Sequence, residues 1–468
     1  MIRRTKLIAT LGPATDSPEM LAALIGRGVD VFRLNMSHGN HEWVREVVQN
    51  IRAAADARNT HCAILMDLQG PSIRTGELPA PIPLKVGDLV EFRVETTPAR
   101  AEKSTTVNYR DLPKDVSVGD TVVVDNGLLH LRVVEKDEDR LLCSVLTEGM
   151  LTSRRHINLP GVRLNLPAMT AKDREDATLA AELQIDFLAL SFVRDVAHVE
   201  EARAFLAERR HSPRIVAKIE DQEAVKNING IIQATDVIMV ARGDLGIEVN
   251  IEELPIIQRR IVKKCHVMGR AVIVATHMLE SMVSNPSPTR AEVSDVANAV
   301  YEQADAIMLS GETSTGRYPL ECVETLDRIA LRIERSGGAG FADLAMLSDE
   351  KQLTCKSAVV LANSLENAVI VVFTKRGIMA RHLARLRPEE PVFAFARDPK
   401  VCRSLSLDRG VHPIRFDFSN DPEETMNNAA TYLRAKGFVQ DGDRMVVVSD
   451  LFQREGIVDS ILLARVGA

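Results

Sequence analysis

The sequence predicts an α/β protein: a (β/α)8 TIM barrel, interrupted by an inserted all-β module and followed by a second α/β domain. Three observations predict it. Eight strand-length apolar runs alternate with helical stretches, the pattern of parallel βα units. The alternation breaks once, after Gly70-Pro71, into short strands with turn signals. It restarts on a smaller scale beyond Ser336-Gly-Gly-Ala-Gly340, which has the composition of a linker.

In chain order, the first barrel strands are expected at residues 6–11, 29–34 and 62–68, with helices at 19–26 and 41–58 between them. Five more follow the interruption, at 187–192, 215–219, 237–240, 271–275 and 306–309. These runs are largely apolar, as strands buried on both faces must be. Eight such units in succession point to a closed barrel, and barrels of this kind carry their chemistry at the carboxyl ends of the strands. The insert reads as four strands, at 89–94, 121–124, 128–134 and 141–146, and its charged stretch Glu135-Lys-Asp-Glu-Asp-Arg140 reads as a solvated hairpin turn. A helix over 321–335 ends the barrel. Past the linker, strands at 368–373, 392–396 and 444–448 and a helix through Arg381 make a domain of ordinary size. The expected division is 1–70 and 167–338 for the barrel, 71–166 for the insert and 339–468 for the last domain.

Composition narrows the function. At 468 residues the chain is too long for one core. A formal charge of −7 with no long basic tract argues against nucleic acid as the main partner. Six cysteines, at 62, 143, 265, 322, 355 and 402, show no Cys-x-x-Cys spacing, which fits neither a zinc site nor a disulfide framework and suits a reducing cytoplasm. No run of about eighteen apolar residues occurs, so no membrane span is expected. The apolar run from Leu7 is cut by Gly12-Pro13 before it reaches signal-peptide length, and reads as the first strand.

The most chemically loaded stretch is Arg214-Ile-Val-Ala-Lys-Ile-Glu220 followed by Val237-Ile-Met-Val-Ala-Arg-Gly-Asp-Leu-Gly246. Each half is strand-like and breaks into charge where it ends, so Lys218, Glu220 and Asp244 are expected at one barrel mouth. One cation beside two carboxylates suits a divalent metal held next to an anionic substrate, since magnesium takes one or two carboxylates plus substrate oxygens. A solvated strand end is the competing reading, and these residues alone leave the two even. The chain has no Gly-Lys dipeptide and therefore no P-loop; a nucleotide would have to bind at the barrel mouth and the insert.

Further blocks accompany that stretch in order: Thr5-Lys6 to Gly12-Pro-Ala14, Arg33-Leu-Asn-Met-Ser-His-Gly39, Asp67-Leu-Gln-Gly-Pro71 with Ile73-Arg-Thr-Gly76, Leu159-Pro-Gly161, Met278-Leu-Glu-Ser-Met282, Asn285-Pro286 with Pro288-Thr-Arg-Ala-Glu-Val-Ser-Asp-Val-Ala-Asn-Ala299, and Met308-Leu-Ser-Gly-Glu-Thr313. With them the chain resembles the pyruvate kinase family along essentially its whole length, and its Asp67-Leu-Gln-Gly-Pro71 block is most similar to bacterial members. The resemblance implies that the insert is a small β-barrel lid and the last domain regulatory. It also implies phosphoryl transfer from phosphoenolpyruvate to ADP, a cytoplasmic location and a homotetramer.

Residue roles follow from the same resemblance. Lys218 and Arg33 are implied to face the transferred phosphoryl group, Glu220 and Asp244 to bind Mg2+, and the backbone of Gly243 to approach the substrate carboxylate. Thr276 is implied to bind substrate on the route by which enolpyruvate is protonated, with water as the acid because a Thr hydroxyl is a weak one. Asn35, Ser37, Asp67 and the carbonyl of Leu68 match a K+ site, although Ser72 stands where potassium-dependent relatives carry Glu and others commonly Lys. Asn35, His38 and Arg74 match nucleotide contacts. The lid departs from the pattern at Asn126, where many relatives carry Asp, and at Arg154-Arg155, where a Lys is usual. In the last domain, Thr374-Lys-Arg-Gly-Ile-Met379 lacks a hydroxyl-rich ending and Ser449-Asp-Leu-Phe-Gln-Arg-Glu-Gly456 lacks a double glycine. Lys375, Arg376 and Arg381 read as a solvated helix face, with an anion site as the alternative. Structural alternatives are an ion pair within the mouth for Arg33 and a helix cap for Ser310, which with Glu312 is otherwise read as part of the polar network around Thr276. Two other functions compete: a carbon–carbon lyase on a barrel of similar form, and a silent sensor that keeps the fold.

Overall fold

Strands Lys6–Thr10, Val31–Asn35, Ala63–Asp67, Phe187–Leu190, Arg214–Ile219, Val237–Ala241, Ala271–Ala275 and Ala306–Leu309 close into a parallel barrel in a computed structural model that describes residues 2–449 and 460–467. Each pairs with its sequence neighbours, and the ring shuts where Lys6 aligns with Ala306. These are the eight strands expected.

The two-residue period of a strand sorts its side chains into inward and outward sets. In the fifth strand, Ile215, Ala217 and Ile219 belong to the layer packed against the helices, while Val216 lies in the barrel interior with Phe187, Ala189, Val237 and Met239. Arg214 and Lys218 share the parity of Val216, one at each end of the strand. By the same parity Arg33 follows interior Val31, and Asp67 follows interior Leu65. Charge is thus aimed inward at the ends of strands whose middles are apolar.

The insert contains the four expected strands, Leu89–Val94, Thr121–Val124, Leu129–Lys136 and Arg140–Val145, and four shorter ones: Ile82–Leu84, Ser104–Val107, Gly149–Leu151 and Ile157–Asn158. Six make one sheet and two make a ribbon, and together they cover a core that includes Phe92, Leu131 and Leu141. The charged stretch is the exposed turn of a hairpin, except that Arg140 is buried against Glu91 at 2.6 Å.

Beyond helix Pro319–Glu334, the last domain is a five-stranded sheet ordered Val411–Arg415, Val392–Ala396, Ala368–Phe373, Arg444–Ser449 and Ser460–Arg465, of which only the last strand runs antiparallel. Residues 450–456 of the segment that lacks a double glycine lie outside the described residues. This domain docks on the amino-terminal floor of the barrel through buried ion pairs. Arg387 grips Asp305 at 2.6 and 2.8 Å, and Arg214 grips Asp408 at 2.8 and 3.0 Å.

Candidate active site

A cleft of about 330 Å³ opens at the carboxyl ends of the strands, between the barrel and the insert. Arg33, Asn35, Ser37, His38, Asp67 and Leu68 line it from the second and third strands and their loops, and Lys218, Glu220 and Asp244 from the fifth and sixth units. Arg74 joins from the edge of the insert.

Lys218 organises the centre. Its ammonium group lies 2.9 Å from Glu220 Oε1 and 3.4 Å from Asp67 Oδ1, and donates to Ser191 Oγ at 2.7 Å. Its side chain is 12% exposed, against 1% for each carboxylate. Burial opposes its charge, but Asp67 and Glu220 outweigh burial and raise its pKa, so it stays protonated. The Asp67 carboxyl, which burial alone would raise, is held below the ordinary range by Lys218 and Arg33. Glu220 behaves differently. Burial, with Asp244 adding to it, pushes this carboxyl up to about 7 despite the pull of Lys218.

Arg33 donates from Nε to Asp67 Oδ2 at 2.7 Å, with Nη2 also 2.7 Å from that oxygen, and from Nη1 to Thr10 at 3.1 Å. The ion pair weighed as its structural alternative is therefore present, and it fixes a guanidinium that still lines the cleft. Asn35 pairs in register with Asp67 across neighbouring strands, and its side chain accepts from the Ser37 amide at 3.1 Å. The Leu68 carbonyl accepts from Ser191 Oγ at 2.8 Å.

Thr276 and Gly243 sit beside the cleft, joined to each other. The Gly243 amide donates to Thr276 Oγ1 at 2.7 Å, and that hydroxyl donates to the Ala275 carbonyl at 2.6 Å. Thr276 has φ +66°, a left-handed conformation that a β-branched residue adopts only under constraint. Arg242 supplies the constraint: buried and paired with Asp295 at 2.5 Å, it also donates to the carbonyls of Ala275 and Thr276. Ser310 precedes the short helix Gly311–Ser314, but its side chain makes no capping bond, so the capping alternative fails. Glu312 instead bonds the amides of Ser310 and Leu279 at 2.7 and 3.0 Å.

The donor set fits cations. Glu220 and Asp244 offer two hard carboxylates at one cleft, the number magnesium takes when substrate oxygens complete its shell. Buried Asp67 Oδ1 has no hydrogen-bond partner, and it lies in the cleft with Asn35 and Ser37. That oxygen meets only the Lys218 ammonium at 3.4 Å, which leaves coordination capacity for a bound cation.

Four neighbours were missed. Ser191 follows the fourth strand at the parity of interior Phe187 and Ala189, so its direction was readable. Arg242 was visible beside Gly243 but not its reach to Thr276. His156 and Glu248 were not readable, because only the docking of the insert brings His156 within 3.9 Å of Asp244 and Glu248 within 3.2 Å of Asn158.

Comparison with known proteins agrees with this fold. The family model described as pyruvate kinase, barrel domain, matches residues 2–323, and that described as pyruvate kinase, alpha/beta domain, matches residues 352–462. The pyruvate kinase of Geobacillus stearothermophilus is 41% identical over 459 residues, covering 96% of this chain and 78% of that one. Plastidial pyruvate kinase 2 of Arabidopsis thaliana is 40% identical over 454 residues, covering 95% and 78%. A crystal structure of a pyruvate kinase from Cryptosporidium parvum superposes with a TM-score of 0.94 at 34% identity, covering 99% of this chain and 96% of that one.

Proposed function

The chain belongs to the pyruvate kinase family, and from that premise we propose that the mouth cleft is where it transfers the phosphoryl group of phosphoenolpyruvate to ADP, giving pyruvate and ATP. It is a phosphotransferase by that membership. The observation carrying the residue assignment is the buried Lys218 ammonium, 2.9 Å from Glu220 and 3.4 Å from Asp67, in a cleft that also holds Arg33 and Asp244.

Phosphoryl transfer asks a protein for positioning and positive charge around the moving group. Lys218 provides a cation locked in the protonated state, and Arg33 a second one oriented by Asp67. Glu220 and Asp244 would hold Mg2+, and Asn35, Ser37, Asp67 and the Leu68 carbonyl would hold K+. When bound, such cations neutralise phosphate charge and polarise its oxygens. Asn35, His38 and Arg74 face the nucleotide. The backbone at Gly243, with no side chain to block it, would let the substrate carboxylate approach beside Thr276, and Thr276 would lie on the route by which water protonates the enolpyruvate carbon.

The same reading takes the division 1–70 with 167–338, 71–166 and 339–468 as barrel, lid and regulatory domain, supported by separate hydrophobic cores in the three. It includes a cytoplasmic location; no helix among the described residues is long and apolar enough to cross a membrane. It also includes a homotetramer, for which exposed Ile251, Ile256 and Leu353 offer apolar contact surface. Light scattering should return about four times the chain mass of 51.6 kDa.

The test is a coupled assay. Protein supplied with phosphoenolpyruvate, ADP and magnesium should form pyruvate and ATP in equal amounts; pyruvate without ATP would favour the lyase, and no product the silent sensor. Glu220→Ala should weaken the response to magnesium and lower the rate on the order of a hundredfold. An unchanged magnesium titration in that variant would remove Glu220 from the metal site.

A further inference from the structure

The mouth cleft also holds an imidazole from the insert, that of His156. This residue bridges to Arg74 just before strand Ile157–Asn158, and its ring reaches across to the barrel. Nδ1 lies 3.9 Å from Asp244 Oδ1, and the side chain is 13% exposed against 33% for Asp244. No hydrogen bond occupies either ring nitrogen among the described residues. A sheltered imidazole with both nitrogens uncommitted, facing a carboxylate in a polar cleft, has a lone pair to offer a ligand.

Phe192 ties this imidazole to the second carboxylate. Its amide donates to Glu220 Oε2 at 2.6 Å, and its ring packs on the His156 ring with 5.7 Å between centroids and a tilt of 53°. Phe192 holds φ +55°, a left-handed conformation that is unusual for a bulky residue and that clusters where a site is held in shape. One kink in the barrel backbone thus fixes the Glu220 carboxylate and seats the ring from the insert.

We propose that His156 is a third side-chain donor to the divalent ion held by Glu220 and Asp244, and that its nitrogen shifts the site's preference from Mg2+ toward a first-row transition ion such as Co2+. The inference rests on the reading of those two carboxylates as metal ligands. Mg2+ takes oxygen donors, whereas imidazole suits the later first-row ions, and affinity at a mixed nitrogen and oxygen site rises from Mn2+ to Co2+. Two donors about 2.1 Å from one octahedral ion stand about 3 Å apart when adjacent and about 4.2 Å apart when opposite. The 3.9 Å between His156 and Asp244 falls between those limits. No three such side chains are already gathered round one point among the described residues. The imidazole belongs to the insert and the carboxylates to the barrel, so a small approach of the insert completes the set and ties the lid to the barrel.

The test reads binding, not turnover. Mn2+ is titrated into the full chain and the free ion followed by its paramagnetic resonance, Co2+ and Mg2+ are ranked by how well they displace it, and spin-echo modulation of the bound Mn2+ reports any nitrogen attached to it. Wild type should show a directly bound nitrogen that His156→Ala lacks. The Co2+ to Mg2+ affinity ratio should fall by about tenfold in that variant. His156→Gln, which keeps the bulk and offers an amide oxygen, should also lose the nitrogen signal and lower the ratio, and it carries the test if the alanine variant loosens the insert. Mn2+ binding that needs Glu220 but shows no nitrogen, with the ratio unchanged in both His156 variants, would overturn the inference and leave the carboxylate reading standing. A changed ratio without a nitrogen signal would overturn it too, making His156 a neighbour of Asp244 and not a ligand. Equal Mn2+ affinity in wild type and Glu220→Ala would instead remove the carboxylate reading, and this inference with it.

Discussion

The mouth and the floor of the barrel are built from the same groups, arginine or lysine against aspartate or glutamate, and they differ in how fully the oxygens of Asp305 and Asp408, compared with those of Asp67, are hydrogen-bonded. At the floor, Asp305 takes both terminal nitrogens of Arg387 and the Val272 amide, and Arg214 meets both oxygens of Asp408. At the mouth, Asp67 keeps one oxygen without a hydrogen bond, and Glu220 sits between Lys218 and the nearby charge of Asp244. The carboxyl pKa values follow. Arg387 overcomes burial and holds Asp305 below its ordinary value, whereas burial wins at Glu220. A saturated ion pair is part of the fold; an unsaturated one is available to a ligand.

The contrast can be broken at several points. The largest effect is expected at the floor, where Arg387→Ala strands a buried carboxylate and should cost about 3–5 kcal/mol of unfolding free energy. Its turnover at low temperature should stay near wild type; a kinetic defect exceeding the stability defect would show that the floor is more than structural. At the mouth the pattern should invert. Lys218→Met is expected to lower kcat by on the order of 10²–10³-fold with a smaller loss of melting temperature than Arg387→Ala. Near-normal turnover in that variant would end its assigned role.

Acid and alkali sharpen the same comparison. Asp305 has a depressed folded pKa, so its contribution is present above about pH 4 and is lost as pH falls below that. Asp305→Asn should therefore flatten the acid limb of a stability–pH curve. Glu248, on the mouth side, is pushed up to about 7 by burial, so its ionised form opposes folding increasingly from pH 4.5 to about 7 and constantly above. Glu248→Gln should gain on the order of 3 kcal/mol at pH 8 and almost nothing at pH 4. An equal gain at both pH values would mean packing, not charge, is responsible. The smallest effect belongs to the exposed pair Arg45–Glu182 on the barrel exterior, where Arg45→Ala should change stability by less than about 1 kcal/mol.

The barrel was legible because its strands are buried on both faces and end in charge, so pattern and function share one boundary. Lys218, Glu220 and Asp244 were readable from their places at strand ends, whereas Arg33 and Asp67 were implied by the family resemblance. Four short strands of the insert were not readable: Ile82–Leu84, Gly149–Leu151 and Ile157–Asn158 are too brief to show a period, and Ser104–Val107 is polar over three of its four residues. Strand Val411–Arg415 was hidden by Pro413, which the edge of the sheet tolerates. Of the three basic residues read as a solvated face, Lys375 and Arg376 are exposed, and Arg381 is half-buried at the barrel floor. A helix with one apolar and one basic face looks the same whether the basic side meets water or another domain, and only the docking of the last domain decides.

The fifth strand places Arg214 and Lys218 on one side of a two-residue repeat, and this constrains what the gene can tolerate. A one-residue insertion between them would turn one of the pair to face the surrounding helices, so anchorage or turnover would be lost, depending on which end kept its pairing. An insertion of two would restore the facing but move the ammonium along by one pleat, roughly 7 Å. Length variation compatible with both docking and reaction is therefore confined to the loops.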